Sequence, residues 1–109
     1  MPEIDLSLLT QNRVTMLTGH PRGLSARELF DLDHLDDADG QVEILAPEDL
    51  DTITPSFVQG FLAASLSKLG ADRLRMKYDV SRLPSVLQED FETGIQRLLL
   101  HKRNFQGSH

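Results

Sequence analysis

Ser56 stands in Thr54-Pro55-Ser56-Phe57, between a polar loop and an amphipathic run, and that setting gives an ordinary hydroxyl chemical interest. Thr54 suits a helix N-cap. Pro55 suits the first helical position, where its missing N–H would have had no partner, and Ile53 can pack on Val58 as a hydrophobic staple. A helix that begins here leaves free backbone N–H groups beside the Ser56 hydroxyl, a natural place for a phosphate or for an acidic group of a partner. Thr54, Ser56 and the acidic loop Glu48, Asp49, Leu50, Asp51 are therefore the candidate surface for partner binding or phosphorylation. The plainer role for Ser56 is a hydroxyl bonded to neighbouring backbone in the first turn.

Other residues able to do chemistry form no complete set. The acidic run from Asp31 to Gly40 invites a calcium reading, and aligning Gly40 with the glycine of an EF-hand loop places Asp37 and Asp39 correctly. Leu35 then falls at the first ligand position and Ala46 at the last, where a bidentate Glu is required, so a solvated turn explains the acidity better. His20, His34, His101 and His109 lack the paired spacing of a zinc site or of acid–base work. Thr18-Gly19-His20-Pro21-Arg22-Gly23 lacks the lysine of a P-loop and reads as a strand-to-helix loop, with Arg22 and Arg27 weak candidates for anion contact. Cysteine is absent, which removes disulfides, thiolate metal sites and a cysteine nucleophile. No catalytic, cofactor-binding or metal-binding set is expected, and the pattern argues for a binding or regulatory module rather than an enzyme.

The 109 residues suit one small domain. Residues 1–103 are expected to form it, with 104–109 a flexible tail in which Gly107-Ser108-His109 looks appended. The N-terminus lacks a basic and apolar leader, and no apolar run approaches the roughly 20 residues that span a bilayer, so the expectation is a cytoplasmic protein without membrane contact. The net charge of −6 argues against nucleic acid. Residues 1–67 carry three Arg against twelve Asp and Glu, a balance of −9, whereas residues 68–109 balance at +3. This polarity suits a charged protein partner or head-to-tail homo-oligomerisation, although a solvated face is the commoner meaning of a charge run.

The elements that must position Ser56 follow from periodicity. Ile4, Leu6, Leu8; Val14, Met16; Val42, Ile44; and Leu74, Met76, Tyr78, Val80 each alternate with polar residues, predicting four strands with one buried face. Gln11-Asn12-Arg13 is short enough for a hairpin between the first two. A first helix is expected from a capping box at Ser25 and Glu28, stapled by Leu24 on Leu29, to about Asp36; a second from Thr54 to the stop at Gly70; a third from Pro84-Ser85 to the basic run His101-Lys102-Arg103. The fold class is thus α/β, a two-layer sandwich of ββαβαβα order. Its mixed four-stranded sheet would carry three helices on one face, over a core including Leu29, Phe57, Phe61, Phe91, Ile95 and Leu98.

With that order, the segments Gly23-Leu24-Ser25-Ala26-Arg27-Glu28 and Leu50-Asp51-Thr52-Ile53-Thr54-Pro55-Ser56-Phe57-Val58 resemble the STAS-like family of bacterial proteins, related in fold to anti-sigma factor antagonists. The resemblance implies a regulatory module whose partner is a histidine-kinase-like ATPase or serine kinase, with phosphorylation of a first-turn serine releasing a partner. Ser56 falls where the second serine of that family's Asp-Ser-Ser-Gly segment would stand, while Thr54 and Phe57 replace its acidic residue and glycine. The other reading of the chain is a structural or self-associating module whose open sheet face carries Arg73, Arg75 and Lys77.

Overall fold

Helix formation after Ile53 follows the sequence closely. In the computed structural model, which describes residues 2–107 and the side chains as far as residue 101, helix α4 spans Pro55–Leu69 with Thr54 as N-cap and Pro55 in its first turn. Its stripe of Phe57, Val58, Phe61, Leu62 and Leu66 is buried, and Gly70, at φ +80°, turns the chain out of the helix. Phe57 and Phe61 stack with ring centroids 5.7 Å apart.

Around α4 the chain is an α/β structure. Strand β1 (Glu3–Asp5) and helix α1 (Ser7–Thr10) are followed by β2 (Met16–Leu17), α2 (His20–Leu29) and α3 (Leu32–Asp37). Then come β3 (Val42–Leu45) and β4 (Thr52–Ile53), and after α4 come α5 (Ala71–Lys77), β5 (Tyr78–Asp79) and α6 (Ser85–Gly107). β3 lies between β1 and β5 in one sheet, and β2 pairs with β4 in another. All these pairings are parallel, with Ile4 opposite Ile44, Val42 opposite Tyr78 and Leu17 opposite Ile53. α4 packs against α2, α3, α5 and α6, and α6 also covers β4.

Several expectations are corrected here. The expected mixed four-stranded sheet is not formed; two smaller parallel sheets take its place. No hairpin joins residues 4–8 to 14–16, because the Asp5 carboxylate accepts the Ser7 N–H at 3.0 Å and turns the chain into α1. Residues 73–77, read as strand from the alternation of Leu74, Met76 and Tyr78, are helical. The good helix formers of Ala71–Lys77 win, with Leu74 buried and Met76 72% exposed. α2 begins at His20, with Pro21 in its first turn, so the supposed capping residues Ser25 and Glu28 lie inside it and are exposed. It ends at Leu29, and Asp31 at φ +54° separates it from α3. Leu29, expected in the core, is 60% exposed, whereas Phe57, Phe61, Phe91 and Ile95 are buried and Leu98 packs on their edge. α6 runs to Gly107 rather than stopping near Arg103, its first helix-breaking residue there being Gly107 itself; the end of the expected tail, Ser108-His109, lies outside the described residues.

α2 and α4 approach closely through Gly23 and Gly60. A Cβ on Gly23 would stand 2.2 Å from the Phe57 carbonyl oxygen, and one on Gly60 would stand 2.2 Å from that of His20. Only the missing side chains allow this backbone contact, which brings the N-termini of the two helices side by side.

Candidate functional site

β2 and β4 run parallel and each passes almost directly into a helix, so the starts of α2 and α4 emerge together. The strand bond from Thr54 N–H to the Leu17 carbonyl, at 2.9 Å, fixes this alignment. The Thr54 hydroxyl accepts from Phe57 N–H inside α4 and from Gly19 N–H at the start of α2, both at 3.4 Å. Ser56 Oγ lies 3.2 Å from the same hydroxyl and is half-buried. Thr54 and Ser56 thus form one hydroxyl cluster that joins two helix starts, where unpaired N–H groups and aligned peptide dipoles favour negative charge.

The acidic loop is placed apart from this cluster. Glu48, Asp49 and Asp51 are exposed around buried Leu50, which is folded back by a bond from its N–H to the Pro47 carbonyl, and Asp51 N–H donates to the Thr15 carbonyl at 2.8 Å. This loop enters β4, whereas Ser56 follows it. Three residues of extended chain, on the order of 10 Å, separate Asp51 from Thr54. Asp90 of α6 reaches the same strand and accepts the Ile53 N–H at 3.0 Å.

Sequence reasoning missed the largest polar assembly of the described residues. Arg27 of α2, Asp36 of α3, Ser65 of α4 and Tyr78 of β5 are all buried and bonded to one another. The Asp36 side chain, 0% exposed, accepts from Ser65 Oγ at 2.8 Å, from Arg27 Nη2 at 3.5 Å and from the Tyr78 hydroxyl. Arg27 also donates to the Phe61 carbonyl at 2.8 Å, to Ser65 Oγ at 3.3 Å and to Asp33 at 2.7 Å. Lys68 adds its charge 3.6 Å from Asp36 and 3.4 Å from Asp33. Burial, reinforced by the hydrogen bond to Asp36, pushes the Tyr78 hydroxyl well above its ordinary pKa of 10.0. The hydrogen bond from Arg27 holds the exposed Asp33 carboxyl below its usual range. Among the described residues no buried side-chain polar atom lacks a partner, so this assembly is a closed tie between four elements. One signal for it was present: Ser65 continues the spacing of Phe57 and Phe61 along the apolar stripe of α4, where a hydroxyl needs a buried partner.

Two cations of the second half of the chain, Lys68 and Arg82, fold back onto anions of the first. Lys68 meets Asp33, Asp36 and Asp37, and Arg82 lies 3.7 Å from Glu43. Arg73, Arg75 and Lys77 sit on α5 rather than on an open sheet face. Arg75 is bound bidentately to Glu92, at 3.1 and 2.7 Å, and Lys77 donates to the Ala38 carbonyl. His20 and His34 are exposed on separate helices, and no group of three or more metal-ligating side chains gathers among the described residues. No helix among them is long and apolar enough to cross a membrane.

Comparison with protein-family models, curated proteins and solved structures finds no match for this chain.

Proposed function

We propose that the protein is a non-enzymatic regulatory module of the STAS-like type that binds a protein partner through the paired starts of α2 and α4, with Ser56 as the switch. The observation that carries this reading is the shared Thr54 hydroxyl. It caps α4, accepts from the start of α2 and touches Ser56, so a group added to Ser56 alters the mutual fit of two helices as well as one side chain. A phosphoryl group there gains from the helix N-terminus, which makes modification compatible with a folded protein. A histidine-kinase-like ATPase or serine kinase fits this chemistry as the partner. Glu48, Asp49 and Asp51 form a flanking acidic surface that a basic rim of the partner would meet.

The test is the affinity of a partner, isolated by pull-down with the wild-type protein, for wild type, Ser56→Ala and Ser56→Asp. Ser56→Asp is expected to bind at least tenfold more weakly and Ser56→Ala about as well as wild type. Equal binding by all three folded proteins would reduce Ser56 to an ordinary first-turn residue.

A further inference from the structure

α6 packs on the rest of the molecule through Leu87, Phe91, Gly94 and Ile95, all of them buried. A Cβ on Gly94 would stand 2.4 Å from the Val58 side chain, so this face is closed against α4. At 3.6 residues per turn, Val86, Glu89, Thr93, Arg97 and Leu100 fall on the other side of the helix, within about 80° of one another. All five are exposed, and Val86 and Leu100 are large apolar side chains with 49% and 57% of their surface open to water. A shallow groove of about 580 Å³ runs along this stripe past Glu89, Thr93, Arg97 and Leu100.

The stripe is complementary to itself. Val86 and Leu100 lie two helical turns to either side of Thr93, and Glu89 and Arg97 lie one turn to either side. When two such helices run antiparallel about a two-fold axis at Thr93, each Val86 reaches the level of the other copy's Leu100, and each Glu89 that of the other copy's Arg97. Both charges are available for this contact. Among the described residues neither Glu89 nor Arg97 makes an ion pair, and residues 102–109 carry no Asp or Glu that could take Arg97. The neighbouring Glu92, by contrast, is already held by Arg75.

We infer that the outer face of α6 is an interface with a second copy of this chain, the two helices meeting antiparallel at Thr93 with Glu89 of each copy paired to Arg97 of the other. Such a contact uses the same surface on both copies and stops at two, unlike a head-to-tail chain. The opposite charges set its register, while exposed pairs and two short apolar contacts supply little affinity, so the dimer is weak and forms as concentration rises. It uses none of the residues of the Thr54 and Ser56 cluster and stands independently of the partner-binding reading.

The test is sedimentation equilibrium of the whole protein at low salt, from about 1 μM to 1 mM. The mass of the wild type is expected to rise from that of a monomer toward that of a dimer and no further. Glu89→Arg and Arg97→Glu each set like charges against each other at both contacts and should each weaken dimerisation at least tenfold, with circular dichroism confirming the fold. Mixed in equal amounts, the two variants restore opposite charges at both contacts, so the mixture should associate about as well as the wild type. If a reversal does not fold, Thr93→Arg, which sets two arginines together on the axis, takes its place. A wild type that stays monomeric throughout, a dimer that a folded variant leaves intact, a mixture of reversals that stays monomeric, or assemblies that grow beyond two copies would each overturn the interface.

Discussion

Ser56 and Ser65 share helix α4, yet the two hydroxyls live under different physics. Ser65 is buried and bonded to a carboxylate with no exposed surface, among four elements distant in sequence. Ser56 is half-buried and bonded to a neutral hydroxyl two residues away, at a helix start where water reaches the backbone. In the first setting the charges have left water, so their mutual pairing is obligatory and losing one partner strands the rest. In the second, water can replace any lost hydrogen bond, and a negative charge is welcome. The contrast teaches where this protein can afford change: the C-terminal part of α4 ties the fold together, whereas its first turn is free to respond to a modification or a partner.

The sharpest break of this contrast is Asp36→Ala, which leaves Arg27 without its buried counter-charge. The expected loss is roughly 3–5 kcal/mol of unfolding free energy, read from urea titration by circular dichroism. A loss below about 1 kcal/mol would mean that the assembly is open to water and that the two ends of α4 do not differ in kind.

Tyr78→Phe should follow, costing about 1.5–3 kcal/mol at neutral pH because Asp36 keeps its other donors while losing one bond to a charged group. The same residue sets a pH dependence. Its pKa in the folded protein is raised above the ordinary 10.0, so below pH 10 both folded and unfolded forms hold the proton and stability is fully present. As pH rises past 10 the unfolded chain releases the proton first, and stability falls until the folded pKa is passed. The chain has a single tyrosine, so phenolate absorbance reads this group alone. Native protein should titrate later than protein in urea, and Tyr78→Phe should lose the alkaline slope. Coincident titration in both states would contradict the burial of the hydroxyl.

Thr54→Ala is expected to cost about 1 kcal/mol, the usual worth of an N-cap, since water can reach the freed N–H groups. A cost approaching that of Asp36→Ala would show that the hydroxyl cluster, and not the buried assembly, is the main tie between α2 and α4.

The sequence shows these regions unequally. α4 was legible to the residue, with cap, proline, stripe and glycine stop, because each of its signals is local. The place of Ser56 in the first turn of α4 was legible for the same reason. The buried assembly draws on Arg27, Asp36, Ser65 and Tyr78, whose meeting depends on the break at Asp31 and on α5 replacing a strand, and neither follows from periodicity. Leu74, Met76, Tyr78 and Val80 alternate, but Leu74 and Tyr78 are also four apart, and over so short a span both periods fit. The helix formers of Ala71–Lys77 decide for the helical one. The sheet failed at the level of pairing: a strand such as Ile4, Leu6, Leu8 announces its faces but not its neighbour, and Asp5 diverted it after three residues.

The smallest effect separates the two serines most cleanly. Ser56→Asp puts a carboxylate into the first turn of α4, where the helix dipole favours it by about 0.3–1 kcal/mol at low ionic strength. Against this stands the loss of one neutral bond to Thr54, which water can replace, so stability should be unchanged or slightly raised relative to Ser56→Ala. The gain is electrostatic and partly exposed, hence it should shrink in 1 M salt, where the screening length falls to about 3 Å. The deficit of Asp36→Ala should persist there, because salt does not enter a buried pair. Measuring both variants by urea unfolding at low and high salt gives four values, and the expected pattern is a salt-sensitive small gain beside a salt-insensitive large loss. Should Ser56→Asp instead destabilise by more than about 1 kcal/mol at low salt, the first turn of α4 would be packed too tightly to accept a charge, and a phosphoryl switch at Ser56 would have to unfold the very surface it is meant to control.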